Sequence, residues 1–338
     1  AELAKKFLLN TADPVEFDGA PVSPRRQGAG LMQLHAALST PVVVTDSATG
    51  EAKVALKDVD DHVVTFALTA ENFSDEVVTY DVSASAQTDT PVNGGDVFVS
   101  APNQFGAIDL GAVAKVNGEA VSSIEVPAKG STTFEVTVDV SKWDKDIKEY
   151  FANGYWLEGF VKLTDPNDTN PELVVPYAGF KGDWNAAPIL DDPAWEEMSF
   201  YGATGLVTTI GGGSYSYLGV DFATGGLDPD FIAISPNGDG TNDSATFILS
   251  FLRNVKELNL NVVDKNGKVI KEILTEEYVR KNYYDGGRGE YYYLFSDWTW
   301  DGTGKNGKRA SEGQYYMQVE ATLDFEGSKS QSFTFPVK

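Results

Sequence analysis

The alternation of apolar and polar residues predicts a series of β-strands in the first half of the chain. In one run, Val64, Phe66 and Leu68 recur at every second position, which places them on one face of a strand. Runs of this kind are separated by polar turns, and they cover residues 62–70, 77–86, 131–140, 154–164 and 173–177. This spacing predicts a β-sandwich of the fibronectin or immunoglobulin type over residues 41–181.

The last part of the chain, residues 230–338, predicts a second fibronectin-like domain. Two Asn-Gly pairs, Asn266-Gly267 and Asn306-Gly307, predict tight hairpins because glycine adopts the positive φ that such a turn requires. The strand candidates around these turns are residues 247–251, 258–263, 315–322 and 330–337. The chain as a whole is therefore predicted to be all-β, with two sandwiches in tandem.

Two segments do not follow the strand pattern. Residues 1–40 contain two runs with apolar residues at helical spacing, and two such short helices cannot bury their apolar faces alone. This segment is predicted to be the end of another domain. Residues 182–229 combine prolines and the glycine run 211–213 with large aromatic side chains, which predicts a long loop packed across domain surfaces.

Composition supports a turn-rich β protein and excludes several functions. The 338 residues include 33 glycines and 15 prolines. The formal net charge of −24 repels phosphate backbones and anionic lipids, so binding to nucleic acid or to a membrane surface is not expected. The absence of cysteine excludes disulfides and thiolate chemistry. No signal peptide and no apolar run of about 18 residues is seen, so membrane insertion is not expected either.

One polar loop, residues 235–243, has the spacing of a calcium site. Its oxygen-bearing side chains are Asn237, Asp239, Thr241 and Asp243. Alternating ligands with glycines between them let a loop curl around a hard cation, as in the first half of an EF-hand loop. The bidentate glutamate of that loop is missing, because Ile248 occupies its position, and Asp301 is the candidate that completes the shell. The alternative is an Asx-rich turn without metal.

Candidate catalytic residues are sparse. The chain has two histidines, His35 and His62, and neither lies beside a nucleophile turn in the sequence. A Ser-His-Asp triad assembles in space rather than in sequence, so spacing alone does not decide this point. With 50 acidic residues in the chain, a neighbouring pair of carboxylates carries no specific information about acid–base catalysis.

Two further features concern binding. Tyrosines and tryptophans cluster in residues 283–300, where exposed rings could stack on sugars, although packing inside a β domain is the commoner use of such rings. Lys181, Gly182 and Asp183 resemble the Arg-Gly-Asp tripeptide that integrins recognise. A motif of three residues occurs often by chance, and Gly182 also suits a domain boundary, so adhesion through this tripeptide is not favoured.

Several motifs resemble those of multidomain subtilisin-like proteases. Residues 23–31, Ser-Pro-Arg-Arg-Gln-Gly-Ala-Gly-Leu, resemble the segment that closes the catalytic domain in that family, and Leu-Leu-Asn-Thr-Ala at 8–12 resembles the end of the preceding helix. The motifs that resemble the fibronectin-like domains of the family are residues 153–161, 176–183, 235–240 and 251–254. Their order is similar to that in the cell-envelope proteinases, the group of the streptococcal complement-factor-5a peptidases and the lactocepins.

The resemblance implies a non-catalytic accessory region of a secreted, wall-anchored serine endopeptidase. Its parts are the end of a catalytic domain at 1–40, a first fibronectin-like domain at 41–181, a linker at 182–229 and a second domain at 230–338. The catalytic Asp, His and Ser motifs of the family precede this region, so no catalytic residue is carried over and this chain alone is expected to be inactive. The implied partners are the catalytic domain of the parent protease and protein substrates. The alternative is a stand-alone surface adhesin or carbohydrate-binding module.

Overall fold

The computed structural model describes residues 1–17, 19–93, 98–100, 107–111, 113–210, 213–284, 288–325 and 327–338. The chain divides into two compact units, Ala1–Ala186 and Ala187–Lys338. Helices are short, and they are α1 (Glu2–Asn10), α2 (Pro24–Gln27), α3 (Leu34–Ser39) and α4 (Asp144–Lys148). None of the helices in the described ranges is long and apolar enough to cross a membrane.

Strands make up most of the regular structure of the first unit. They are β1 (Glu16–Phe17), β2 (Ala20–Pro21), β3 (Val42–Asp46), β4 (Val54–Asp58), β5 (Val63–Asn72), β6 (Val78–Ala84), β7 (Gln87–Asp89), β8 (Pro91–Asn93), β9 (Phe98–Ser100), β10 (Ala107–Asp109), β11 (Ala114–Val116), β12 (Val121–Val126), β13 (Ser131–Asp139), β14 (Tyr155–Thr164) and β15 (Leu173–Lys181). One sheet has the order β11-β13-β5-β3. The other runs β10-β7-β14-β15-β4, with β6 between β14 and β12 and with β4 parallel to β15.

The core of the first unit lies between these two sheets. Of the three β5 positions predicted to share one face, Phe66 and Leu68 are buried and Val64 is partly buried against the core. Tyr80 on β6 and Phe134 on β13 are buried as well. They belong to one continuous cluster of buried apolar side chains drawn from both sheets. The sequence pattern therefore identified the packed face of these strands correctly, because every second residue of a half-buried strand faces the core.

Gly159, at the centre of β14, lies where there is no room for a side chain. A Cβ atom there would lie 2.1 Å from the backbone oxygen of Ser85 and 2.8 Å from the hydroxyl of Tyr177. The Tyr177 hydroxyl donates to that same Ser85 oxygen at 2.6 Å. Here β14 changes its partner from β6 to β7, and the chain around Ser85 passes close over the strand. Glycine is the residue that permits this close approach.

The second unit contains two four-stranded sheets. Its strands are β16 (Gly205–Ile210), β17 (Ser214–Tyr217), β18 (Ala245–Ile248), β19 (Val255–Asp264), β20 (Val269–Val279), β21 (Thr299–Trp300), β22 (Tyr315–Thr322) and β23 (Gln331–Val337), with a 3₁₀ turn at Pro229–Phe231. The sheet orders are β17-β16-β18-β21 and β20-β19-β22-β23. Phe247 of the first sheet and Phe335 of the second have ring centroids 5.9 Å apart. The all-β prediction is confirmed.

The structure divides the chain between residues 186 and 187, whereas the sequence predicted a long linker at 182–229. Residues 205–217, inside the predicted linker 182–229, form β16 and β17, and β16 pairs with β18 of the second unit. The glycine run between these strands suggested an irregular segment, although Gly211 and Gly212 themselves lie outside the described residues. At the other end, residues 1–40 pack as part of the first unit.

Candidate functional site

Four polar side chains, which we call the anchor cluster, join the N-terminal segment to the first sandwich. They are Ser23, Arg25, Asp89 and Glu158. Ser23 precedes α2 and Arg25 lies within it, whereas Asp89 ends β7 and Glu158 lies in β14. The Nε atom of Arg25 donates to Glu158 Oε2 at 2.9 Å, and its terminal nitrogen Nη2 forms an ion pair with Asp89. The Ser23 hydroxyl donates to the same Glu158 oxygen at 3.0 Å.

The anchor cluster places two carboxylates against one guanidinium in a largely dry site. The Glu158 side chain is 0% exposed and that of Asp89 is 3% exposed, whereas 23% of the Arg25 side chain is exposed. Burial raises the pKa of Glu158, and the charge of Arg25 together with hydrogen bonds from Arg25 and Ser23 opposes that rise. Arg25 is therefore the group that keeps a buried negative charge tolerable.

Aromatic rings complete the surroundings of Arg25. Its guanidinium carbon lies 4.4 Å from the centroid of the Trp156 ring, a cation–π distance. Trp156 in turn packs edge-on against Phe180 at 5.5 Å and Trp184 at 5.2 Å. The Arg25 side chain is thus fixed by ion pairs on one side and by a flat aromatic surface on another.

A second polar link between the N-terminal segment and the sandwich is made by Asn10, which is fully buried at the end of α1. Its amide nitrogen donates to the backbone oxygen of Val174 on β15 at 3.1 Å. Its amide oxygen accepts the backbone N–H of Val44 on β3 at 2.8 Å. One side chain therefore connects α1 to both sheets of the first unit.

The N-terminal segment exposes several large apolar side chains. The exposed fractions are 45% for Leu3, 61% for Leu31, 66% for Met32, 58% for Leu34 and 81% for Leu38. A shallow groove of about 500 Å³ lies between α1 and residues 27–30, and of these five side chains Met32 forms part of its wall. Several large apolar side chains exposed together in one short segment are typical of a surface that another protein domain covers.

The predicted calcium loop is held by hydrogen bonds within itself. The two carboxylate oxygens of Asp243 accept the backbone N–H groups of Gly238 and Gly240 at 2.6 and 2.7 Å. These N–H groups lower the pKa of Asp243. The side chains of Asn237 and Asp239 each accept the backbone N–H two residues further on, at 2.8 Å, and Thr241 is one of those donors. These are Asx turns, which leave oxygen lone pairs free in an acidic loop.

Asp301, the predicted fifth ligand, pairs with a lysine. Its carboxylate accepts Lys271 Nζ at 2.9 Å and the Thr303 hydroxyl at 2.6 Å. Partial burial acts to raise its pKa, but the hydrogen bonds from Thr303 and Lys271 outweigh burial and lower it to about 2. Within the described ranges, no three His, Cys, Asp or Glu side chains form a group that could hold a metal ion.

The integrin-like tripeptide lies at the end of β15, where it has structural contacts. Lys181 is 3% exposed, and its Nζ donates to the backbone oxygen of Asp60 at 2.7 Å. Gly182 has φ +148, and a Cβ there would lie 2.9 Å from the backbone oxygen of Asn153. The Asp183 side chain accepts the backbone N–H of Asn185 at 2.8 Å. A receptor could not reach the lysine without disrupting the sandwich.

The histidines and the aromatic stretch are placed as follows. His35 is exposed on α3, and His62 Nδ1 lies 3.9 Å from an Asp144 oxygen that also pairs with Lys148.

In the aromatic stretch 283–300, Trp298 and Trp300 are buried, whereas the tyrosines at 283, 284 and 291 are exposed. The tryptophans therefore serve packing, and among the described residues of this stretch the tyrosines and Phe295, which is 45% exposed, remain available to a ligand.

The anchor cluster was missed by the sequence analysis. Its signal was present, because Glu158 interrupts the otherwise uncharged run 155–161. A charged residue in a fully buried strand requires a partner. The sequence does not say which of the 26 basic residues that partner is, since Arg25 lies 133 residues away.

Comparison with known proteins finds relatives along the whole chain. The C5a peptidase of Streptococcus pyogenes serotype M1 is 28% identical over 397 residues, which cover 99% of this chain and 32% of the peptidase. The PII-type and PI-type proteinases of Lactococcus lactis subsp. cremoris are 28% identical over 365 residues, covering 100% of this chain and 18% of each proteinase. The chain is a homologue of the cell-envelope proteinases. The resemblance seen in its motifs is confirmed.

The homologous region is a part of much longer proteins, since the chain spans about a third of the C5a peptidases and less of the lactococcal proteinases. Residues 54–178, within the first unit, match the family model described as an Fn3-like domain. Among solved structures, a chaperone–tip adhesin complex of CFA/I fimbriae aligns with a TM-score of 0.32 at 11% identity, over 87% of this chain and 97% of that chain. That likeness is too low to bear on function.

Proposed function

We propose that this chain is the non-catalytic accessory region of a surface-exposed subtilisin-like serine endopeptidase. In this proposal the first unit positions the catalytic domain and the second contributes to the recognition of protein substrates. The location would be extracellular, with attachment to the cell wall through other parts of the parent protein. Homology to the C5a peptidases and lactococcal proteinases supports the class of the parent.

The observation that carries the proposal is the way residues 1–40 are held. Asn10 and the anchor cluster fasten this segment to the first sandwich through buried polar contacts. The same segment resembles the close of a subtilase catalytic domain, and it exposes Leu31, Met32 and Leu38 on its outer face. A segment fixed on one side and apolar on the other is suited to seat a catalytic domain rigidly against the sandwich.

If this segment docks on the catalytic domain, the same two substitutions should affect thermal stability in the full-length protease but not in the chain alone. In the 338-residue chain, Leu31→Ser with Leu38→Ser should leave the thermal midpoint nearly unchanged, because both leucines are exposed. In the full-length protease, where the proposal buries them, the pair should lower the temperature at which peptidase activity is lost by several degrees, as each buried leucine contributes about 2–5 kcal/mol.

The matched control for this pair is Met198→Ser, a residue of the second unit that is 80% exposed. It should change neither the midpoint of the chain nor the thermal inactivation of the protease. Equal thermal inactivation of the wild-type protease and the Leu31/Leu38 variant would contradict the docking role. The chain alone, incubated with casein, is expected to show no cleavage.

Calcium bound by the loop 235–243 is a further part of the proposal. The carboxylates of Asp239 and Asp243 and the side-chain oxygens of Asn237 and Thr241 are hard donors of the kind that calcium prefers. Adding calcium after treatment with a chelator should raise the unfolding midpoint of the second unit, and Asp243→Asn should abolish the shift. The measurement is a pair of thermal melts, for which identical midpoints with chelator and with calcium would contradict calcium binding.

A further inference from the structure

The second unit has an open sheet edge formed by β17. In the described part of the chain, β17 lies at the end of its sheet and pairs with β16 alone. The sequence of this strand is Ser-Tyr-Ser-Tyr, and its first three residues are exposed. Edge strands are usually protected by charged residues, proline or a bulge, because their free backbone groups can pair with another chain. β17 contains no charged residue and no proline.

The direction of the backbone groups on β17 follows from one hydrogen bond. The N–H of Leu218 donates to the backbone oxygen of Leu206 at 2.9 Å, so residue 218 faces β16. In an antiparallel pair, successive residues direct their N–H and C=O groups alternately toward the partner and away from it. Ser216 therefore faces β16, and the backbone groups of Tyr215 and Tyr217 face the open edge.

Tyr215 also lines a groove of about 420 Å³, which we call the tyrosine groove. Its other lining residues are Tyr284, Gly289, Glu290, Tyr291, Tyr292, Tyr293, Leu294 and Phe295. Glu290 is the single charged residue among them. Four of the rings are substantially exposed: Tyr215 at 42%, Tyr284 at 50%, Tyr291 at 40% and Phe295 at 45%. The groove thus offers a mostly uncharged aromatic surface continuous with the strand edge.

The tyrosine groove is held in place by contacts beneath and beside it. The Tyr217 hydroxyl donates to the backbone oxygen of Ala203 at 2.8 Å, and burial, with smaller effects of Tyr291 and Tyr292, raises its pKa to about 12. Beside Tyr291 lies Tyr201, whose backbone N–H donates at 2.7 Å to the buried carboxylate of Asp191. A surface whose rings are fixed in advance binds with a smaller loss of side-chain entropy.

We propose that the open edge of β17 and the tyrosine groove together bind an extended polypeptide segment. The backbone of that segment adds to the sheet as a further antiparallel or parallel strand, pairing with the outward groups of Tyr215 and Tyr217. Its alternate side chains are uncharged and apolar, because Glu290 is the one charged residue in the described lining of the groove, and they enter between the tyrosine rings. In the parent protease, this surface would hold a flexible stretch of a protein substrate. That biological role rests on the proposed function.

The composition of the surface favours a polypeptide over a sugar. The rings of Tyr284 and Tyr291 meet at 75° and those of Tyr291 and Tyr292 at 84°, so around Tyr291 they form ridges and notches rather than a flat platform. Tyrosine and serine together are also the residues that dominate protein-binding surfaces such as antibody loops, because they combine rigid contact area with adaptable hydrogen bonding. A sugar, moreover, makes no use of an open strand edge.

The test begins with a phage-displayed library of random dodecapeptides selected on the 338-residue chain. Enriched peptides are synthesised with a fluorescent label, and their affinity is measured by fluorescence polarisation. We expect apolar residues at alternate positions, and loss of binding when every second peptide nitrogen is methylated. Tyr215→Pro, which removes an outward N–H and no hydrogen bond to β16, should weaken binding about tenfold, as expected for one lost hydrogen bond.

Two further variants separate the edge from the groove. Tyr291→Ala should also weaken binding about tenfold or more through loss of ring contacts, whereas Tyr215→Val retains the outward N–H and should have a smaller effect than Tyr215→Pro. Tyr150→Ala, an exposed tyrosine of the first unit, is the control that should change nothing. Thermal melts check that each variant is folded, and if Tyr215→Pro is unfolded, the N-methylated peptides on the wild-type chain still test the edge.

Several results would overturn the inference. These are the absence of enriched peptides, equal binding of N-methylated and unmodified peptides, or a glycan array showing Tyr291-dependent binding without any peptide binding. Concentration-dependent dimers that Tyr215→Pro abolishes would instead identify a second copy of this chain as the occupant. All these measurements use this chain without a catalytic domain, so their failure is distinct from failure of the docking role tested on the protease.

Discussion

Replacing Arg25 with methionine is expected to lower the free energy of unfolding of the first unit by about 3–5 kcal/mol at pH 7.5, the usual cost of breaking a buried ion pair by removing one partner. The substitution keeps an unbranched, apolar stem but removes the guanidinium group and its charge. Glu158, which is fully buried, then faces Asp89 with no cation between them. The measurement is denaturant unfolding followed by the fluorescence of the chain's tryptophans.

The pH dependence of this variant gives the specific signature of the cluster. Burial raises the pKa of Glu158, and removing Arg25 raises it further because the opposing contribution is lost. A carboxyl group with a raised pKa favours the folded state fully below its unfolded pKa of about 4.3, and this contribution is lost as the pH rises through the folded pKa. The deficit of Arg25→Met should therefore shrink between pH 7.5 and pH 5.

Two companion variants make the result decisive. Arg25→Met combined with Glu158→Gln should recover part of the lost stability at pH 7.5, because the uncompensated charge is gone. Arg26→Met, the exposed neighbour in α2, should change stability by less than about 0.5 kcal/mol. A deficit that is the same at pH 5 and pH 7.5 would show that Arg25 acts through packing on Trp156 rather than through charge.

The substitution Gly159→Ala is expected to have a still larger effect and to leave the first unit largely unfolded. The added Cβ would meet the backbone oxygen of Ser85 at 2.1 Å, and backbone in the middle of a sheet cannot move away as a flexible side chain can. Relief requires separating β14 from the chain around Ser85, which also breaks the hydrogen bond from Tyr177. We expect a loss above about 4 kcal/mol, in the range typical of severe core changes.

Circular dichroism and thermal melts measure this loss, and Gly304→Ala is the matched control. The nearest atom to a Cβ at Gly304 lies 3.6 Å away, an ordinary contact distance, and the second unit should be little affected. A folded Gly159→Ala variant with a midpoint close to that of the wild type would show that the packing between Gly159 and Ser85 is looser than these distances indicate.

Much of the fold could be predicted because single strands carry their own pattern. Phe66 and Leu68 on β5 follow the period of two that a half-buried strand imposes, and the turn at Gly267 adopts the positive φ, +78, that its Asn-Gly sequence requires. Such signals lie within a few consecutive residues. The sequence is therefore sufficient to find strands and hairpins, although β16 and β17 were hidden by the glycines between them.

The contacts of the candidate site could not be predicted in the same way. Arg25 meets Glu158, and Asn10 meets Val174, only because the chain returns after 133 and 164 residues. Nor does the sequence show that Lys181 is buried and donates to Asp60, which removes it from the integrin-like tripeptide as a ligand. Pairings over such distances depend on sheet order, and sheet order is not encoded in any local pattern.

The position of Asn10 has a consequence for a protein under tension. The chain enters the first unit at α1 and leaves it just after β15, and the Asn10 side chain bonds directly to β15. A pulling force applied between residues 1 and 186 therefore reaches Asn10–Val174 and Arg25–Glu158 early along its path, before it strains the strands of the interior. These contacts act as a mechanical clamp that must rupture before the sandwich extends, so the first yielding event under load should be the detachment of the N-terminal segment.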